Sequence, residues 1–287
     1  MENIIPDFKQ EAIKRHSNLK KEQIDEILNE GMKWDLADVL RSGGSLIFPH
    51  SNIEICGHQT AAVVHACLNS GKDKVIVLGV LHALTKELDD ARKRVAYGGD
   101  PKKEVFWGIQ GPGLDFRKEW ENEFSLLNFL FLWNEEIKRR NVKSPELILR
   151  YPYLAGGSPD KIPGMQELKA QFSNAVIVAT GDLFHHGAGY GDPIGLALEP
   201  EQGGLQLAEI TINKGLDILS KGDYSAYNEF SVKSKSDARD VGQVLRYLIG
   251  SFKSEILDVV SDDMSIIYEK PKPTWVAGAL VKLEKLN

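Results

Sequence analysis

The stretch Ser45–Val80, SLIFPHSNIEICGHQTAAVVHACLNSGKDKVIVLGV, decides the fold. Two short apolar runs, SLIF at 45–48 and KVIVLGV at 74–80, read as buried strands. The segment between them reads as a helix over 57–69, closed by Gly71. Strand, helix and strand at this spacing make a βαβ unit, whose crossover is expected to be right-handed.

Working outward, residues 7–40 look helical, with Ile24, Ile27, Leu28, Met32 and Leu36 near helical spacing, and Gly43-Gly44 ends that region. Downstream, 85–118 is rich in Gly, Lys and Asp and reads as a long, partly exposed excursion. Residues 119–140 read as a mostly buried helix. ELILRYPYL (146–154) is a possible third strand, PGMQELKAQFSN a helix, and AVIVATGD (175–182) a fourth strand. LQLAEITINKGLDILSKGD and ARDVGQVLRYLIGSF give two more helices. DMSIIYEK and TWVAGALVKLEK look like late strands. No internal repeat, low-complexity tract or linker interrupts the pattern. The expected fold is a single α/β domain with a mixed, mostly parallel central sheet and helices on both faces. An N-terminal helical region, 1–44, is expected to pack on a domain of 45–287.

Composition narrows the function classes. A formal net charge of -6 gives no broad electrostatic footprint for nucleic acid, and the basic run KRHSNLKK reads as a solvated face. No run reaches the ~18 apolar residues of a membrane span. The N-terminus lacks the long apolar core of a signal peptide. The only cysteines, Cys56 and Cys67, are eleven residues apart, flanking or within one helix, and too distant to bridge. Reduced thiols point to a cytoplasmic protein. The expected partner is a small molecule or peptide, not nucleic acid or a membrane.

The polar residues fall in a pattern. The first strand runs into Pro49-His50, the second into Leu81-His82, and the fourth into Asp182 with His185 and His186 just beyond. The carboxyl edge of parallel strands is where α/β sheets bind ligands. His58 and His65 share a helix face seven residues apart. That is two turns, roughly 10 Å, too far for one metal, which prefers i and i+4. They and Cys56 are expected to pack rather than ligate. No dinucleotide fingerprint, phosphate-binding loop or nucleophile elbow is present, and GAGYGD (187–192) reads as a rim loop.

Three stretches in order, FPHSNIEICGHQTAA, VIVLGVLHAL and IVATGDLFHHG, resemble the Memo family. Its fold is similar to the catalytic subunit of class III extradiol ring-cleaving dioxygenases. WVAGALV looks like that family's closing strand, and the 32-residue gap from His50 to His82 fits as well. The resemblance implies that His50 and His82 bind a metal, and that Asp182 and His185 line the pocket as the polar, acid/base pair. A late ligand completes the site. SKSDARDVGQVL offers Ser236, Asp237 or Asp240 for it, and Asp237 is the choice. Two histidines and a carboxylate suit Fe(II), while imidazole also suits zinc and copper. The chain departs from the family in the middle, where FSLLNFLFLW puts Phe124 for a histidine and Leu127 for a glutamate. Two readings follow. One is a metal-dependent, dioxygenase-like oxidoreductase acting on a small molecule. The other is a non-catalytic ligand- or peptide-binding protein, whose apolar pocket Phe124 and Leu127 partly line.

Overall fold

A computed structural model describes residues 7–286 and assembles five of the expected strands, with three others, into one eight-stranded mixed sheet. The strands are β1 (Ser45–Phe48), β2 (Lys74–Leu78), β3 (Gly108–Gln110), β4 (Glu146–Tyr153), β5 (Val176–Thr180), β6 (Phe184–Gly187), β7 (Phe252–Asp263) and β8 (Thr274–Lys285). At the centre, β4, β2, β5 and β1 run parallel. Both flanks are antiparallel: β3 on β4 at one end, and β8 with β1, β6 and β7 at the other.

The eleven α-helices among the described residues begin with α1 (Phe8–Asn18), α2 (Lys21–Gly31) and α3 (Ala37–Arg41). Next come α4 (Ile53–Asn69), α5 (Lys86–Ala96), α6 (Leu127–Arg140) and α7 (Met165–Phe172). The last four are α8 (Gly204–Ser220), α9 (Tyr224–Ser234), α10 (Arg239–Ile249) and α11 (Ser265–Tyr268). Alternation along each central strand sorts its side chains onto two faces. Leu46, Phe48, Val75, Val77, Val176 and Val178 meet α4, α5 and α6 in one core. Ile47, Ile76, Leu78, Ile177 and Ala179 meet α7, α8 and α10 in the other. A strand buried on both faces has no polar position to spare, which is why these runs are apolar throughout.

The helices of the N-terminal region belong to the first of these layers, since Leu28, Leu36 and Leu40 are buried in its core. Residues 1–6 lie outside the described structure. Helix α2 approaches α4 closely at Gly31, where a Cβ would stand 2.7 Å from both Ala61 Cβ and Ala62 N. Gly31→Ala is therefore expected to lower stability by about 1–3 kcal/mol, because neither helix can yield without disturbing the core. A urea denaturation midpoint equal to that of the parent protein would contradict this packing.

Several expectations change. The crossover helix begins at Ile53, a turn before residue 57, because the Asn52 side chain caps it by accepting from Glu54 N at 3.1 Å. Cys56 and Cys67 therefore lie in the same helix, both free and buried. The excursion over 85–118 contains a regular helix, α5, and the short strand β3. The helix expected over 119–140 starts only at Leu127, after a 3-10 turn at Glu119–Asn122. DMSIIYEK is not a strand: the chain leaves β7 at Asp263, and α11 covers Ser265–Tyr268. The strand lies earlier, in FKSEILDVVSDD, an edge strand whose Lys253, Glu255 and Asp263 are exposed.

Candidate metal centre

The carboxyl ends of β1, β2 and β5 converge as their order in the sheet requires. His50 leaves β1, His82 follows β2, and Asp182 follows β5. The imidazoles of His50 and His82 stand 5.1 Å apart, centre to centre. Asp237 reaches them from the turn between α9 and α10. That turn is tied to the end of β5 twice: Asp182 N donates to Asp237 Oδ1 at 2.8 Å, and Asp237 N donates to Asp182 O at 3.3 Å. Gly181 permits the approach, since a Cβ there would lie 2.4 Å from Ala238 Cβ.

Asp237 Oδ2 is buried and accepts no hydrogen bond among the described residues. Around it stand three imidazole nitrogens: Nε2 of His50 at 3.3 Å, of His82 at 3.6 Å and of His185 at 3.8 Å. Ligands ~2.1 Å from a common ion, at right or tetrahedral angles, lie ~3.0–3.4 Å apart. The first two spacings come close to the edge of such a polyhedron. Two sets of three ligand atoms each lie within 4.8 Å of one another: His50, His82 and Asp237, and Asp182, His185 and Asp237. These buried His and Asp groups are therefore able to hold a metal ion.

The remaining ring nitrogens are already engaged. His50 Nδ1 lies 3.3 Å from Thr180 Oγ1, whose own hydrogen goes to Phe48 O at 3.0 Å. The threonine oxygen must then accept, so Nδ1 carries the proton and Nε2 faces the centre. His82 Nδ1 lies 2.8 Å from Glu123 Oε1, again leaving Nε2 inward. A ligand histidine held by a carboxylate or another acceptor on its far nitrogen is the usual arrangement at metal sites. Glu123 is itself fixed: its Oε1 accepts from Phe124 N and Ser125 N, and its Oε2 from His82 N.

Electrostatics agree with the geometry. Burial pushes the carboxyl of Asp237 up, but the surrounding imidazoles more than offset it and hold its pKa well below the usual carboxylate range. Burial pushes His82 down, and Glu123 with Asp237 reverses this, raising it to about 10. His50 is likewise raised by Asp182 and Asp237 against burial. The carboxylates thus draw positive charge to the two imidazoles, which protons or a divalent cation can supply. Burial dominates at Asp182, whose carboxyl is raised, and at His185, which is lowered toward the neutral imidazole.

The other candidates sort clearly. Asp240 is no ligand, because its carboxylate accepts from Leu154 N at 3.0 Å and Ala155 N at 2.8 Å. Ser236 sits beside Asp237 with its hydroxyl buried and unpartnered, and a neutral hydroxyl is a weaker donor to a divalent cation than the carboxylate next to it. Alternation along β6 turns His186 away from His185, and its Nε2 accepts from Leu198 N at 2.9 Å. His58 pairs with Asp258 at 2.8 Å, joining α4 to β7. His65 Nε2 donates to Leu28 O at 2.7 Å and Nδ1 accepts from Arg140 at 2.7 Å, joining α2, α4 and α6. The Cys56 thiol is pushed up by burial and donates to Asn52 O.

A cavity of about 490 Å³ opens beside the centre. Phe124 lines it and stacks on the His82 ring at 4.3 Å, while Leu127 is not part of the lining. The middle segment has not lost its polar groups: Glu123 holds His82, and Asn128 Nδ2 donates to His50 O and Ser51 O. Helix α1 supplies a wall through Phe8, stacked on Phe124 at 5.1 Å. Glu123 and this wall were missed from sequence. Glu123 sat inside a span read as continuous helix, and α1 reaches the cavity only through tertiary packing. No protein-family model matches the chain, and no curated protein matches it in sequence. Among the described residues, no helix is long and apolar enough to cross a membrane.

Proposed function

We infer that the protein is a divalent-metal-dependent enzyme of the dioxygenase-like class, Memo-like in fold, acting in the cytoplasm on a small molecule held in the cavity beside His50, His82 and Asp237. One observation carries this reading: a buried carboxylate oxygen, Asp237 Oδ2, that accepts no hydrogen bond and faces three imidazole nitrogens. Such an oxygen is costly to bury without a cation, and the two-histidine, one-carboxylate donor set suits Fe(II). His50, His82 and Asp237 would hold the iron, which would supply Lewis-acid and O2-activating chemistry when bound.

The chain's own residues do the rest. Thr180 and Glu123 fix the two ligand imidazoles so that Nε2 of each points inward. His185, lowered by burial and braced edge-on by Tyr190 at 4.8 Å, is a neutral base beside the centre. Its Nε2, 3.8 Å from Asp237 Oδ2, takes a proton from a substrate hydroxyl and later returns it. Phe8 and Phe124 keep water from one side of the cavity.

Oxygen uptake by Fe(II)-loaded protein with a panel of catechols tests the class. His185→Gln is expected to lower kcat by about 10²–10⁴-fold, with Fe(II) affinity within about threefold of the parent, since the two ligand histidines and Asp237 are untouched. No uptake by the loaded parent protein with any catechol would overturn the dioxygenase reading. An equal loss of metal would show that His185 is a ligand instead.

A further inference from the structure

Arg239 opens α10 two residues after Asp237 and lines the cavity, yet it is only 7% exposed. A guanidinium carries five N–H donors and stays charged, so a buried one needs acceptors. Among the described residues its side chain makes one hydrogen bond, from Nη2 to Asp240 Oδ2, and that bond is long at 3.4 Å. Asp240 is a poor partner because its carboxylate already accepts from Leu154 N and Ala155 N. Arg239 Nε is buried without any partner. The Ser236 hydroxyl, on the same turn and also lining the cavity, is buried and unpartnered as well.

We propose that Arg239 and Ser236 form an anion subsite that takes the carboxylate of a small organic acid with a flat apolar body. The geometry accounts for each part of that ligand. A planar carboxylate accepts from two guanidinium nitrogens at once, which satisfies the orphaned Nε, and it accepts from a neighbouring hydroxyl. The aromatic walls of the same cavity, Phe8, Phe124, Tyr190 and Tyr268, suit a flat ring. Of the acidic side chains that line the cavity, only Asp240 pairs with the guanidinium, through the one long contact, and Glu11 pairs with Arg15. Asp237 faces the imidazoles, Asp182 accepts from His50 N, and Asp262 accepts from Asn52 N at 3.0 Å. The subsite shares the cavity of the proposed enzyme and gives that reading its ligand class.

Benzoate and its neutral isostere benzamide are suitable probes, with Kd read by ligand-detected NMR on the full chain, both metal-loaded and chelator-treated. Benzoate is expected to bind both forms of the parent protein, and benzamide far more weakly. Arg239→Gln is expected to weaken benzoate by about 30-fold or more, the loss typical of a truncated buried charge pair, and to leave benzamide unchanged. Ser236→Ala is expected to weaken benzoate by about tenfold or more, the worth of one hydrogen bond to a charged group. It decides the matter if Arg239→Gln proves unfolded by circular dichroism. Benzoate binding that vanishes on chelation and ignores both substitutions would place the carboxylate on the metal and overturn the subsite. Equal binding of benzamide would overturn it too. If the chain binds no metal at all, the chelated and untreated proteins behave alike, and the Arg239 comparison still stands.

Discussion

His50→Ala combined with His82→Ala is expected to reduce bound divalent metal from about one equivalent to less than about a tenth. Two of the three nitrogens that face Asp237 Oδ2 are removed, leaving Asp237 with Asp182 and His185. Two imidazoles supply most of the donor strength of the His50, His82 and Asp237 set, whereas the set left behind, Asp182, His185 and Asp237, offers a single imidazole and a carboxyl that burial pushes toward its protonated form. The fold should survive, because both side chains sit at strand ends facing the cavity rather than in either apolar core. Elemental analysis of protein purified without chelator checks the result. Metal content unchanged in the double variant would place any bound ion elsewhere.

Glu123→Ala is expected to act on stability and metal together. The carboxylate is fully buried and accepts from His82 N at 2.6 Å, Phe124 N at 2.7 Å and Ser125 N at 2.9 Å, besides the His82 ring at 2.8 Å. Removing it strands three backbone donors and a buried imidazole. Breaking one partner out of such a buried charged network costs about 3–5 kcal/mol. The same change frees the ring plane of His82, and loss of a carboxylate behind a ligand histidine weakens metal by about 10–100-fold. Glu123→Gln should lie between, since an amide keeps one accepting oxygen for the backbone. Chemical denaturation together with Fe(II) titration separates the two effects. A stable Glu123→Ala variant with full metal affinity would show that Glu123 does not orient His82.

The parts of this site written at strand ends were legible, and the parts brought by tertiary packing were not. Short apolar runs that stop at Pro49-His50, Leu81-His82 and Gly181-Asp182 announce both a buried sheet and its polar edge. Alternation within FHHG explains why only His185 of the neighbouring pair faces the centre, a distinction available only once the segment is known to be β6. Glu123 carries no such signal. It precedes α6 by four residues, and nothing local distinguishes it from the exposed Glu121. Asp237 and Asp240 stand three apart on one turn, and only the backbone donors of 154 and 155 reveal which is taken. The β7 strand was obscured because an edge strand with one solvated face tolerates charge, so its apolar content is low. Resemblance suggested a middle segment stripped of polar groups; Glu123 and Asn128 supply them from neighbouring positions.

An anomalous difference map measured above the iron absorption edge, from crystals of protein loaded anaerobically with Fe(II), tests the metal centre most directly. A single peak ~2.1–2.2 Å from Nε2 of His50, Nε2 of His82 and Oδ2 of Asp237 is the predicted result. A map with no peak between those three atoms, or with iron held only by other residues, would contradict it.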